Sequence, residues 1–315
     1  MTEARPGHPA VTDLRSAPAA RLRGHLAMLG FAALVAGSFG LGGLAAPHVD
    51  PMVLTVMRFA VAVGVMGALV ALLPGLRSAR SGWRLGAAPW RWPLLGSLFA
   101  IYFVLMFEAL KTASPVSTSA VFTLTPLMAA GFGWVLLGQR TSSRMALALG
   151  VGALGAVWVI FRADLDKLLA FEPGRGEAIF FVGCVAHALF TPMVARLNRG
   201  ERAAVSTGLV MLGGLAVLLV LSPSALMATD WGALPAIVWI TALYLGLPAT
   251  AVTFLLLQYA ALRLPAAKVM AYTYLVPSFV ILWELGLGQE APPVLVLPGI
   301  ALCVGALLLL LKHEG

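Results

Sequence analysis

The stretch "FEALKTASPVSTSAVFTLTPLMAAGFGWVLLGQR" at residues 107–140 returns in altered form as "YAALRLPAAKVMAYTYLVPSFVILWELGLGQE" at residues 259–290. Leu124-Thr125-Pro126-Leu127 answers to Leu275-Val276-Pro277-Ser278, and Leu137-Gly138-Gln139-Arg140 to Leu287-Gly288-Gln289-Glu290. The two prolines stand 151 positions apart. Ala109-Leu110-Lys111 matches Ala261-Leu262-Arg263 at an offset of 152. Val35-Ala36-Gly37-Ser38-Phe39 matches Val185-Ala186-His187-Ala188-Leu189 at 150, which sets His187 against Gly37. Matches this widely spaced at nearly one offset, about half of 315 residues, mark a duplication.

Composition says what was duplicated. Sixty percent of the residues are hydrophobic, 11% are charged, and mean hydropathy is +0.94. A soluble domain carries roughly a quarter charged residues, so an ordinary water-soluble enzyme and a disordered chain are both excluded. Apolar runs near 25–46, 52–74, 92–111, 115–137, 143–161, 177–196, 204–222, 235–260, 267–287 and 292–311 each approach the roughly 20 residues needed to cross a bilayer as a helix. They are uniformly apolar rather than alternating, which disfavours a β-barrel. Breakers such as Pro47-His48-Val49-Asp50-Pro51 and Ala291-Pro292-Pro293 separate them. The expectation is an all-α polytopic membrane protein with ten transmembrane helices. Five per copy is odd, so the second copy lies upside down. The expected organisation is a tail at 1–23, a first five-helix repeat at 24–162, a connecting loop at 163–176, a second repeat at 177–311 and a tail at 312–315. Residues 1–23 are polar and Arg-bearing, so a secretory leader is not expected.

Positive charge orients the chain. Sixteen of the 21 Lys and Arg fall in segments on the side of the N-terminus, four on the other side, and Arg58 within a span. Both termini are therefore expected in the cytoplasm of a bacterial inner membrane, with 163–176 outside. Topology thus accounts for the net charge of +8 without a nucleic-acid partner. Trp83-Arg84 and Trp90-Arg91-Trp92 suit a cytoplasmic interfacial belt. Cys184 and Cys303 lie singly in apolar runs and read as small buried hydrophobes.

With the two quoted stretches, and Pro51 followed by Arg58, the sequence resembles the EamA-type drug/metabolite transporter superfamily over about residues 25–311. The resemblance implies a ten-helix inner-membrane carrier, most often an exporter of amino acids and similar metabolites, with a central cavity between the halves. The sequence departs from that pattern at Gln139, where the family usually has glutamate, although Glu290 keeps its counterpart. Ala36-Gly37 stands where a tryptophan is frequent in the first span.

Ionisable groups inside a membrane are costly and are functional candidates by default. Arg58 and Glu108 sit at comparable depths and are candidates for a paired gate or coupling switch, or else Arg58 snorkels outward and Glu108 meets Lys111 one turn away. Glu284 reads as interfacial. His187, the only histidine well inside a span, is a candidate proton coupler or a helix-to-helix hydrogen bond. Candidate substrate-binding residues are Ser38, Tyr102, Ser119, Thr123 and Pro126 in the first half, with His187, Tyr244, Gln258, Tyr274 and Pro277 in the second. The midplane prolines each free a carbonyl that must be satisfied by neighbours or line a wet cavity. Hydroxyls, an amide and aromatic faces suit a zwitterionic or amphipathic metabolite, with Arg58 able to attract a carboxylate. No nucleophile, metal or nucleotide motif is present, so neither an enzyme nor a cofactor is expected. The function expected is secondary transport driven by a substrate or proton gradient. The alternative is a membrane sensor or assembly subunit that keeps the fold without moving solute.

Overall fold

The computed structural model describes residues 18–72, 88–161, 163–170, 173–199, 201, 203–261, 263–264 and 266–311. Among the described residues, ten helices are long and apolar enough to cross a membrane. The first repeat holds α1 (Pro18–Ala45), α2 (Pro51–Leu72), α3 (Arg91–Ala109), α4 (Pro115–Leu137) and α5 (Ser143–Ile160). The second holds α6 (Arg175–Leu197), α7 (Ala203–Leu221), α8 (Ala236–Ala261), α9 (Lys268–Gly286) and α10 (Val294–Leu311). Successive membrane crossings alternate in direction, so the odd count inverts the second repeat. We call the face on which α1 begins the N-side and the opposite face the far side.

Helix ends follow local chemistry. Asp50 accepts from the Met52 and Val53 amides at 2.8 and 3.4 Å, while Pro51 opens α2 where its missing N–H costs nothing. Ser114 and Ser142 cap α4 and α5 in the same way. The repeated Leu-Gly-Gln is a stop: Gly138 and Gly288 sit at φ +66° and +76°, the left-handed conformation a glycine adopts most cheaply. Their neighbours Gln139 and Gln289 then donate back to the carbonyls of Gly133 and Glu284.

Interhelical contacts rely on small residues, as expected where lipid offers no hydrophobic drive. A Cβ built on Gly96 of α3 would fall 2.2 Å from the Gly214 amide of α7, and one on Gly155 of α5 would fall 2.5 Å from the Gly299 carbonyl of α10. Large side chains such as Trp134, Val135, Leu154 and Val220 are exposed, as lipid-facing groups are.

Several boundaries differ from expectation. Helix α1 starts at Pro18, so residues 18–23 of the expected tail are helical, and 1–17 lie outside the described residues, as do Trp83, Arg84 and 312–315. The connecting loop contains a short helix, Leu165–Ala170, and α6 starts at Arg175. Arg91 is no interfacial anchor: it is 1% exposed, pairs with Glu201 at 2.8 Å and donates to the Leu197 carbonyl. It thereby ties α3 to the α6–α7 connection across the two repeats. Burial pushes the Glu201 carboxyl up, but the Arg91 guanidinium and the Arg199 amide outweigh it and hold that carboxyl below its usual range.

Candidate functional site

A cavity of about 390 Å³ lies between the two repeats. Its walls are one-sided helix stripes. On α3 the stripe is Phe99, Tyr102, Phe103 and Met106; on α8 it is Thr250, Thr253, Phe254 and Leu257, each 151 positions on. The i, i+3, i+4, i+7 spacing puts each set on one face. On α1, Val35, Ser38 and Phe39 line the cavity, and 152 positions on so do His187, Phe190 and Thr191 of α6. Inverted duplication therefore presents the same face of each helix twice. It also corrects the register for His187, whose partner is Val35: the match to Gly37 joined similar short words rather than equivalent faces.

The proline pair acts through its neighbours. Pro126 and Pro277 do not line the cavity, but each withdraws an amide from the carbonyl four residues earlier. Those residues are Phe122 and Thr273, and both line it. Just before each proline the chain tightens: Thr123 and Leu124 donate to carbonyls three residues back, and Tyr272–Leu275 forms a 3₁₀ turn. Helix α8 bulges instead, as a π segment at Leu247–Val252 around Pro248. There the Thr250 hydroxyl donates to the Leu245 carbonyl at 2.7 Å. Such bulges gather at functional positions.

The cavity is polarised. Phe39, Arg58, Phe103 and Met106 form a buried end, none more than 5% exposed. Thr191 and Met270 are exposed at the opposite end, in the N-side portions of α6 and α9. The far-side portions of α8 and α9 are tied to α1. The Tyr244 hydroxyl donates to the Leu34 carbonyl at 2.8 Å, Trp283 Nε1 to Ala33 at 2.9 Å, and the Thr241 hydroxyl to Leu41 at 3.2 Å. Tyr244 and Trp283 meet edge to face at 5.6 Å. The ring of Tyr244 occupies the space where a side chain at Gly37 would be, since a Cβ there would lie 2.2 Å from its hydroxyl. That is what Ala36-Gly37 accomplishes in place of a tryptophan.

Arg58 is the cation of the site. Its Nη2 donates to the Thr250 hydroxyl at 3.4 Å, and its guanidinium lies 3.5 Å from the Phe103 ring centroid. Nε and Nη1 have no hydrogen-bond partner. It does not meet Glu108, which takes Lys111 at 2.8 Å near the far end of α3, both half-exposed. One helical turn brings that pair together, whereas Arg58 faces inward. His187 stacks on Tyr102 with centroids 4.5 Å apart, beside Phe99 and Phe190.

Of the residues expected at the site, Ser38, Tyr102, His187 and Arg58 line the cavity. Ser119 and Thr123 do not: both are fully buried and donate to their own helix, at Val116 and Ala120. Tyr274 packs on Gly152 of α5, where a Cβ would fall 2.2 Å from its ring. Tyr244 belongs to the far-side closure, and the Gln258 side chain is outside what is described. Sequence reasoning missed Phe99, Phe103 and Phe190, although their spacing with Tyr102 and His187 was a usable signal. It also missed Glu177, 2% exposed at the start of α6, whose carboxylate accepts from the Ser117 hydroxyl at 2.7 Å and so joins the halves on the far side.

The EamA-like transporter family model matches residues 22–161 and again 174–312, starting 152 positions apart. The chain belongs to that family. Among its relatives is "Uncharacterized transporter YyaM" of Bacillus subtilis (strain 168), 22% identical over 284 residues, covering 90% of this chain and 92% of that protein. A solved crystal structure, 23% identical, covers 95% of this chain and 100% of its own with a TM-score of 0.61, a likeness of fold. Family membership and ten apolar helices make this a multi-pass membrane transporter whose halves are the two family repeats.

Proposed function

We propose that this protein is a secondary carrier of a small amphipathic metabolite, working by alternating access in a bacterial inner membrane with both termini in the cytoplasm. The observation that carries this reading is the cavity's polarity: an exposed mouth on the N-side, a buried end at mid-helix with the Thr241–Leu41 bond beyond it, and hydrogen bonds from Tyr244 and Trp283, in the far-side portions of α8 and α9, to the middle of α1. A carrier needs such a one-sided conformer and its inverse, and inverted repeats supply the two with similar energies. The conformer described is then the inward-open one, loading from the cytoplasm, which fits an exporter. The hinges are the two Leu-x-Pro breaks and the π segment of α8, where few main-chain bonds must change. Transport is driven by the solute's own gradient or by protons.

The test is counterflow in proteoliposomes combined with labelling of Thr191→Cys and Met270→Cys. The native thiols at Cys184 and Cys303 are buried, so background is low. Flux of labelled solute, with both cysteines modified from the N-side and protected by substrate, supports the carrier. Binding without counterflow indicates a sensor or assembly subunit instead.

A further inference from the structure

Resting on that carrier reading, we infer that Arg58 is the anchor for a ligand carboxylate, and that the cavity is built for a monocarboxylate with an aromatic or branched aliphatic body rather than for a zwitterion. The guanidinium is 3% exposed at the buried end of the cavity. Among the described residues it makes one long hydrogen bond, to Thr250, and lies over the face of Phe103. Nε and Nη1 are uncommitted, and Nη2 keeps a second proton, so one edge of the planar group retains two free donors to grip a carboxylate as a fork. No carboxylate lines the cavity among the described residues. Glu108 is held by Lys111, Glu177 by Ser117, and Glu284 lies beside Gly40 near the far end of α9. A buried charge without a counter-ion is expensive, and a ligand that brings the counter-ion recovers that cost on binding.

The same inventory says what the ligand lacks. An ammonium group would find aromatic faces but no anion, while standing near the Arg58 charge. The body of the ligand meets Phe99, Tyr102, Phe122 and Phe190 around His187, then Met and Val side chains toward the mouth. The cavity of about 390 Å³ is some 13 times the roughly 30 Å³ share of a liquid water. That is room for a small acid rather than a peptide or lipid. Repeat symmetry sharpens the point: Arg58 has Val210 at the matching place 152 positions on, so the site has one charged pole.

The experiment uses the full chain in lipid nanodiscs with three matched probes: 3-phenylpropanoate, L-phenylalanine and 2-phenylethylamine. Binding is followed by melting temperature and by calorimetry. The acid is expected to bind at least tenfold more tightly than the amine, with the amino acid weaker than the acid. Arg58→Met is expected to cut affinity for the acid at least tenfold and to leave the amine equally or more tightly bound, with Arg58→Lys in between for the acid. Equal or tighter binding of the amine, no binding of the acid, or unchanged acid binding in Arg58→Met each overturns the inference. If Arg58→Met does not yield folded protein, the three-probe ranking on the unaltered chain decides. Counterflow separates the two readings: an amine carried in preference to the acid refutes only the carboxylate site, whereas acid bound without flux refutes only the carrier.

Discussion

Replacing Gly96 by alanine tests whether the α3–α7 crossing sets the walls of the cavity. The added methyl would lie 2.2 Å from the Gly214 amide, 2.6 Å from its Cα and 2.6 Å from the Val210 carbonyl. All three atoms are main chain, so no rotamer change relieves the clash and the helices must separate by about 1 Å to reach ordinary contact. Overpacking typically costs 1–3 kcal/mol, and a main-chain obstacle puts Gly96→Ala near about 3 kcal/mol. At roughly 2 °C per kcal/mol for chains of a few hundred residues, melting should fall by about 6 °C. The same separation moves Phe99 and Tyr102 away from Val210 and Met211 across the cavity, so ligand affinity should fall with stability. Gly64→Ala and Gly67→Ala are the controls, because nothing lies within 4 Å of a Cβ at either place. They should be neutral or stabilising by up to about 1 kcal/mol, from helix propensity alone. Purified variants compared by thermal melting in one detergent give the answer. An unchanged melting temperature for Gly96→Ala, or an equal loss in the controls, would refute the close-crossing argument.

Other expectations follow from single contacts. Tyr244→Phe removes the bond to the Leu34 carbonyl, worth about 1 kcal/mol net, and should raise labelling of a cysteine at Ser38 from the far side about fivefold; no change would remove Tyr244 from the closure. Tyr274→Phe should leave melting unchanged or raise it, because the Tyr274 hydroxyl is buried without a partner, and transport should persist; a lost activity would return that residue to the site. Glu201, held below its usual pKa by Arg91, contributes stability at neutral pH that is lost as pH falls below the ordinary value of 4.5 and through the lowered one. Melting curves from pH 6 down to pH 3 should therefore be flatter for Glu201→Gln than for the unaltered protein, and parallel curves would contradict the pairing.

Periodicity and composition alone determined the ten helices, the duplication and its inversion, because a bilayer demands about 20 apolar residues per crossing and an odd count can only invert. The Leu-Gly-Gln stops were equally legible, since their meaning is local: a left-handed turn that glycine allows. Arg58 and His187 stood out because an ionisable group in an apolar run is rare. What the sequence left open is which side of each helix meets the other repeat. Ser119, Thr123 and Tyr274 look as polar as Ser38 and Tyr102, yet packing turns them onto their own helix or onto Gly152. The partner of Arg58 was likewise undecidable, because Glu108 sits at similar depth while only tertiary packing aims one group inward and leaves the other to Lys111. Hydropathy records how deep a residue lies; the rotation of each helix about its axis is fixed by close glycine crossings and by which carbonyls a proline or a bulge sets free, and these exist only once the repeats have docked.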